Sequence, residues 1–287
     1  MDVTPLHALL LIAAGAVTGL LGAILGTGGG VFLIPILVML LGVPMHEAVA
    51  TSIVSVIATS SAVASTNVER GIANMRLGMT LEIATALGAI AGGLTAAVLA
   101  PHSLEALFAL VLVPTALLMW RGRTEKATAG NSTLGESGGT GHSRAASRLA
   151  ATYHDPAGGT VSYEVKRLPA GMAVAFVAGN LSGLLGIGGG VFKVPALHLL
   201  CGVPVKAAAA TSNFMIGVTA VASAFLYYGD GRVLPGVTAA AVLGVLAGSA
   251  VGSLLNRWIG GRAVARLFAV LLLAVAAQMF YRAVRGE

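Results

Sequence analysis

The chain has 287 residues, of which 56% are hydrophobic and only 10% are charged. Soluble domains carry about 25% charged residues, so this composition excludes an ordinary soluble fold. The net charge of +6 does not indicate nucleic-acid binding. Most of the excess lies in one polar segment and at predicted helix ends, where it would orient a membrane protein. The single cysteine, Cys201, excludes an internal disulfide.

Long apolar runs predict a polytopic all-α membrane protein, because about 20 apolar residues are needed to cross the hydrocarbon core. We expect about eight spanning helices in the cell (inner or plasma) membrane. The first run is predicted to be a retained helix, since residues 1–6 lack the basic region of a signal peptide. The predicted membrane segments are 6–25, 31–41, 47–66, 77–99, 104–120, 168–185, 191–200, 207–228, 234–255 and 264–281.

Residues 121–167 differ in composition from the rest of the chain. Gly, Ser and Thr dominate 124–141, which is typical of a flexible linker. A Pro-Ala-Gly-Gly turn at 156–159 predicts a small β-hairpin. The positive-inside rule makes the segment cytoplasmic because it contains seven basic residues: Arg121, Arg123, Lys126, Arg144, Arg148, Lys166 and Arg167.

Three adjacent glycines interrupt an apolar run twice, at Gly28-Gly29-Gly30 and at Gly188-Gly189-Gly190. Each Gly costs a helix interior about 1 kcal/mol relative to Ala, so three together predict a break. Close helix packing explains one or two glycines but not three in a row. Broken backbone at membrane depth is tolerated where it is buried in protein or lines a cavity. Since helix N-termini bind anions, the two breaks predict an anion site.

The two halves of the chain align without a gap at a spacing of 160 positions (188 − 28). This register predicts two homologous membrane repeats, 1–120 and 168–287, joined by the 121–167 linker. Glycine-interrupted helices at corresponding positions of two halves indicate a transport site. Two topologies stay open. If each break only bends one spanning helix, each half has four helices and the halves are parallel. If the short segments turn back, each half has five segments and the halves are inverted, giving up to ten membrane segments.

Polar residues after each break complete the predicted substrate site. Ser and Thr bond across membrane helices routinely, so packing is the alternative explanation for them. Lys193 lies one turn into its short helix, where Leu33 stands in the other half. A buried Lys at mid-membrane is expensive unless an anion binds beside it, and the alternative is that it snorkels to the surface. The other predicted donors are Thr51, Ser52, Thr211, Ser212 and Asn213.

Glu82 is the candidate for proton coupling, because intramembrane carboxylates often relay protons. The alternative places it at the headgroup level, six residues beyond Arg76. His198 is predicted to be packed or interfacial, and no metal ligand set is evident around it. A cation or metal carrier of the same architecture is the competing function, although such a carrier needs midplane carboxylates, His or Cys.

The paired Gly-x-Gly-Gly-Gly and Gly-Val-Pro segments, each followed by Ala-Thr-Ser, resemble the sulfite exporter TauE/SafE family of membrane permeases. The resemblance covers almost the whole chain except the Gly/Ser linker and is closest from Tyr153 to Met215. It implies secondary export of a sulfur-containing anion such as sulfite or an organosulfonate. We expect no enzymatic activity, since neither a nucleotide-binding motif nor a nucleophile with its base is recognisable. The expected partners are a small anion and the lipid bilayer, without nucleic acid or cofactor, and a homodimer is left open.

Overall fold

The computed structural model of the chain describes residues 5–25, 29–120, 149–154, 160–255, 269–270 and 272–281. Within them, two short strands pair antiparallel, with Ala151 opposite Tyr163. The strands are β1 (Ala151–His154) and β2 (Thr160–Tyr163). The helices are α1 (Pro5–Leu25), α2 (Gly30–Met39), α3 (Met45–Glu69), α4 (Met75–Val98), α5 (Pro101–Trp120), α6 (Leu168–Leu185), α7 (Gly190–Leu199), α8 (Val205–Gly229), α9 (Pro235–Leu255) and α10 (Leu272–Tyr281).

The prediction of an all-α polytopic membrane protein is confirmed. Six of the described helices are long and apolar enough to cross a membrane, namely α1, α3, α4, α6, α8 and α9. Large exposed apolar side chains such as Leu9, Ile83 and Leu94 give these helices faces suited to lipid. The predicted linker residues 121–148 and the hairpin turn at 156–159 lie outside the described residues.

The short helices after the glycine breaks turn back along the helices that precede them. A β-carbon on Gly189 would lie 2.9 Å from the carbonyl oxygen of Ala178, which is eleven positions earlier in the chain (189 − 178). At the other end of α7, the Cys201 sulfur would lie 2.7 Å from a β-carbon on Gly171, in the first turn of α6. Helix α7 therefore runs antiparallel to α6 and ends where α6 began. Gly29 likewise packs on the Thr18 carbonyl of α1.

Helices α4 and α6 pack backbone against backbone along a glycine seam. A β-carbon on Gly88 would overlap the carbonyl oxygen of Phe176. One turn further on, a β-carbon on Gly92 would overlap the carbonyl oxygen of Asn180. Because the residue numbers rise together in both helices, α4 and α6 run parallel. Small residues permit this approach between membrane helices.

Helices α1 and α9 form an equivalent seam. A β-carbon on Gly244 would overlap the carbonyl oxygen of Ile12, and the next contact pairs Gly248 with Ala16. These helices are parallel as well. Each seam therefore joins the first helix of one half to the fourth helix of the other, so the two halves are interleaved.

The seams and the turned-back helices together fix the direction of each half. Helix α7 returns the chain to the end where α6 starts, so α8 starts there and α9 starts at the opposite end. Since α1 is parallel to α9, α1 also starts at the opposite end from α6. The first helices of the two halves thus point in opposite directions, as inverted halves require. Common ancestry of the halves stays a prediction, although α2 and α7, like α3 and α8, begin 160 positions apart (190 − 30 and 205 − 45).

The hairpin is anchored at the end of the bundle where α4 and α6 begin. The side-chain amide of Asn74, which caps α4, donates to the Leu149 carbonyl at 2.9 Å. The Lys166 N–H donates to the Cys201 carbonyl at 2.9 Å. Buried Tyr153 and Val165 extend this contact into an apolar core with α4, α7 and α8. The hairpin therefore covers this end of the second half.

Candidate functional site

The two glycine breaks meet at Ser52, in the second turn of α3. Its hydroxyl is fully buried and lies 2.8 Å from the Gly186 carbonyl oxygen and 3.3 Å from that of Gly30. A β-carbon on Gly30 would lie 2.7 Å from the Gly186 oxygen. The backbones of the two breaks are therefore in direct contact, and one hydroxyl bridges them.

A glycine in the left-handed backbone region immediately precedes each short helix. Gly29 has φ 76° and Gly189 has φ 66°, a region that residues with a β-carbon rarely adopt. The first backbone bonds of the two helices run from Phe32 to Gly29 at 3.1 Å and from Phe192 to Gly189 at 3.2 Å. The N–H groups before Phe32 and Phe192 have no partner inside their own helices. Two helix N-termini, which are the positive ends of two helix dipoles, thus lie beside the contact of the two breaks at Ser52. Gly28 lies outside the described residues.

The threonines predicted as substrate donors bond other helices in this structure. Thr51 Oγ1 lies 3.2 Å from Thr238 Oγ1 of α9. Thr211 Oγ1 accepts a 2.9 Å hydrogen bond from the backbone N–H of Asn74. Both side chains are fully buried. The structure therefore gives them the interhelical contacts that the sequence left as the alternative, and a role in binding stays a prediction.

Ser212 and Asn213 differ from those threonines. Ser212 is fully buried, and its hydroxyl has no hydrogen-bond partner among the described residues. A β-carbon on Gly190 would lie 3.7 Å from that hydroxyl, so Ser212 faces the start of α7. Asn213 is 8% exposed. A buried hydroxyl without a partner among the described residues, beside a helix N-terminus, is a candidate ligand donor.

Lys193 and Glu82 come together through a residue that sequence reasoning missed, Thr219. Lys193 Nζ donates to Thr219 Oγ1 at 2.8 Å, and Thr219 Oγ1 lies 2.7 Å from Glu82 Oε1. All three side chains are at least 95% buried, with Lys193 only 2% exposed. The burial of Lys193 contradicts the alternative of a snorkelling lysine, whereas the depth of Glu82 in the membrane stays a prediction. One sequence feature could have predicted that Lys193 and Glu82 are linked. Each is a charged residue in a predicted membrane helix, and buried charges are paired.

This pairing changes the predicted role of Lys193. Its ammonium group faces Thr219 and Glu82, and the cavity beside it has a volume of only about 10 Å³. A space of that size holds at most one water molecule. In this conformation Lys193 is closed off from a substrate anion, so binding an anion requires movement of the surrounding helices.

His198 has a structural contact, as the sequence analysis expected. Its Nδ1 lies 2.9 Å from the Val203 carbonyl oxygen, in the turn between α7 and α8. Within the described residues, no three His, Cys, Asp or Glu side chains are grouped as metal ligands would be.

Comparisons with known proteins identify one family and several relatives. The family model described as sulfite exporter TauE/SafE matches residues 11–279. A probable membrane transporter protein of Bacillus subtilis (strain 168), YunE, is 25% identical over 283 residues, covering 96% of this chain and 98% of the relative. A probable membrane transporter protein of Xylella fastidiosa (strain 9a5c) is 27% identical over 274 residues, with 94% of both chains covered. No solved structure matches the chain. With a match across nearly its whole length, the chain belongs to the sulfite exporter TauE/SafE family of multi-pass membrane transporters.

Proposed function

We propose that this protein is a secondary transporter that exports a small sulfur-containing anion, such as sulfite or an organosulfonate, by alternating access. The family description names sulfite, and the relatives are named only as probable membrane transporters. The observation that carries the proposal is the meeting of the two breaks at Ser52. The two short helices begin beside this contact, and the Ser212 hydroxyl, which has no partner among the described residues, faces the start of α7.

The charge of this region favours an anion over a cation. Both helix dipoles present their positive ends, and Lys193 lies one turn into α7. Among the described carboxylates, Glu82 is the one linked to this lysine, through the Thr219 hydroxyl. A cation would meet two positive helix ends, so the competing carrier of cations or metals is disfavoured.

The distribution of basic residues supports a cytoplasmic location for the 121–167 segment. Apart from buried Lys193, the described Lys and Arg residues concentrate at the end of the bundle where α4 and α6 begin. The opposite end has Arg232. The positive-inside rule assigns the richer end to the cytoplasm. The basic residues at that end are Arg70, Arg76, Lys166, Arg167 and Lys206.

A thermal-shift screen of the purified protein tests the proposed substrate class. The panel contains sulfite, sulfoacetate, taurine, thiosulfate and sulfate, with Zn²⁺ and Mn²⁺ as the cation arm. A ligand at a hundred times its dissociation constant should stabilise the fold by about 2.7 kcal/mol. Stabilisation by a sulfur anion supports the proposal. Stabilisation by a metal ion alone, or by none of the panel, overturns it.

A further inference from the structure

The three groups Glu82, Thr219 and Lys193 lie on three different helices and form one buried chain of hydrogen bonds. Thr219 Oγ1 accepts from Lys193 Nζ, and it has two acceptors within reach of its single proton. These are Glu82 Oε1 at 2.7 Å and the Met215 carbonyl oxygen at 2.8 Å. The second carboxylate oxygen, Glu82 Oε2, has no hydrogen-bond partner among the described residues. A buried carboxylate oxygen without a partner is an uncommon feature that calls for a role.

The other titratable groups on the helices around this chain point elsewhere. Helix α6 has none, and its Gly171 and Ala175 line the small cavity beside Lys193. On α4, α7 and α8, the remaining groups in the described region are exposed or bonded to backbone carbonyls. They are Arg76, Lys206 and Tyr228, which are exposed, His198, which contacts the Val203 carbonyl, and Tyr227, which donates to carbonyls of α6.

The need for charge neutrality in a buried site constrains the protonation state of Glu82 when an anion binds Lys193. With no anion bound, Lys193 and Glu82 cancel each other. If an anion binds Lys193 while Glu82 keeps its charge, one net negative charge is buried, and an uncompensated buried ion is strongly unfavourable. If Glu82 takes up one proton as a monovalent anion binds, the site is neutral again.

We infer that Lys193 exchanges partners during transport, pairing with Glu82 when the site is empty and with the substrate anion when Glu82 is protonated. This inference rests on the proposed function. The proton comes from water on the side where the anion enters, adds at Glu82 Oε2, and leaves on the other side with the anion. One proton then travels with each monovalent anion, and the transport cycle moves no net charge. The direction of net transport follows the combined gradients.

Thr219 is the positioning residue of this exchange. While Glu82 is ionised, the Thr219 hydroxyl donates to Glu82 Oε1 and holds it near Lys193. Once Glu82 is protonated, the same hydroxyl proton can turn to the Met215 carbonyl, which lies at nearly the same distance. Lys193 then exchanges its hydrogen bond to Thr219 for one to the anion, and the Thr219 hydroxyl keeps an acceptor in the Met215 carbonyl.

The first half of the chain supplies a matched control. Thr59 occupies the position that corresponds to Thr219, and its hydroxyl donates to the Ser55 and Val56 carbonyls of its own helix. Leu33 and Val242 stand where Lys193 and Glu82 would have their counterparts. Thr59→Val therefore removes a buried hydroxyl of the same type from a place without the charge pair.

The test is flux into proteoliposomes containing the full chain, with an internal pH-sensitive dye and a potassium gradient clamped by valinomycin. The probes are sulfite and methanesulfonate. Methanesulfonate stays ionised at every working pH, so protons that accompany it come through the protein. For the wild type we expect one proton per methanesulfonate and a flux that does not change with membrane potential. For sulfite, the quantity measured is how the anion flux depends on membrane potential.

The variants separate positioning from folding. Glu82→Gln should lose proton flux at least tenfold and make anion flux depend on membrane potential. Thr219→Val should lower the number of protons per anion, Thr219→Ser should restore it, and Thr59→Val should match the wild type. Anion flux in the wild type without protons, or with full sensitivity to membrane potential, overturns the inference while the proposed function stands. If sulfite, methanesulfonate and every other sulfur anion of the thermal-shift panel all fail to cross, the proposed function is overturned and the inference with it. The wild-type measurement decides the matter even if a variant does not fold.

Discussion

The hydroxyl of Ser52 lies 2.8 Å from the carbonyl oxygen of Gly186, and this contact joins the two halves of the protein at their glycine breaks. Ser52 belongs to the first half, whereas Gly186 ends the first helix of the second. Gly186 is itself buried, so its carbonyl has little access to water. The contact explains how helices interrupted in separate halves can share one site.

Ser52→Ala should destabilise the protein, because it leaves the buried Gly186 carbonyl without this donor. An unsatisfied buried acceptor costs about 1–3 kcal/mol. The matched control is Ser61→Ala, on the exposed side of the same helix. Thermal unfolding of both variants in detergent checks the expectation. Equal melting temperatures for the two variants would show that the contact contributes nothing to stability.

Gly189→Ala should impair both folding and anion binding, because Gly189 has φ 66° and its β-carbon would meet the Ala178 carbonyl at 2.9 Å. The left-handed conformation alone costs a residue with a β-carbon about 1–2 kcal/mol. Gly229→Ala is the control, since a β-carbon there has open space. Unfolding without ligand measures the strain, and calorimetry with a ligand found in the screen measures binding. A Gly189→Ala protein with normal stability and affinity would leave the break without a structural role.

Lys193→Gln and Glu82→Gln should each destabilise the protein more than the double substitution does. The two charges are linked through Thr219, and removing one member of a buried ion pair in direct contact, the upper limit here, costs about 3–5 kcal/mol because the other charge is left uncompensated. Removing both leaves two neutral amides near Thr219. A double-mutant cycle on thermal unfolding measures the coupling. Additive effects would indicate that the two charges do not interact.

A cysteine at Thr140, in a Cys201→Ser background, should be protected from an impermeant maleimide in intact cells. The positive-inside distribution assigns this segment to the cytoplasm. A cysteine at Asp230, in the turn between α8 and α9, should be labelled, because that turn lies at the opposite end of the bundle. The reverse labelling pattern would invert the orientation. Labelling of both sites by a permeant maleimide confirms that each cysteine is reactive.

Helix positions could be predicted from sequence because membrane helices need long apolar runs. The prediction of a helix over 47–66 falls inside α3, Met45–Glu69, and that over 207–228 falls inside α8, Val205–Gly229. What the sequence could not supply was the direction taken after a break. Glycines permit either a bend or a reversal, and contacts such as that of Gly189 with Ala178 distinguish them.

The site was predicted in part. The glycines and Ser52 were identified because they recur at equal spacing in both halves. Thr219 was missed because its partners are distant in sequence, 26 positions from Lys193 and 137 from Glu82. In the alignment of the halves, the positions that correspond to these two charged residues hold Leu33 and Val242, so a comparison of the halves reveals no charge pair. The interleaving of α4 with α6 brings Glu82 into the second half, and one half read alone does not show it.

Counterflow in proteoliposomes tests the central claim most directly, that the joined breaks serve the passage of a small sulfur-containing anion. Vesicles containing the full chain are loaded with unlabelled sulfite and diluted into a trace of ³⁵S-sulfite, with protein-free vesicles as the background. We predict transient accumulation of the label, which excess unlabelled sulfite or an organosulfonate outside abolishes and which Gly189→Ala reduces while Gly229→Ala does not. Accumulation no greater than in protein-free vesicles for sulfite and for every other sulfur anion in the panel would contradict the account.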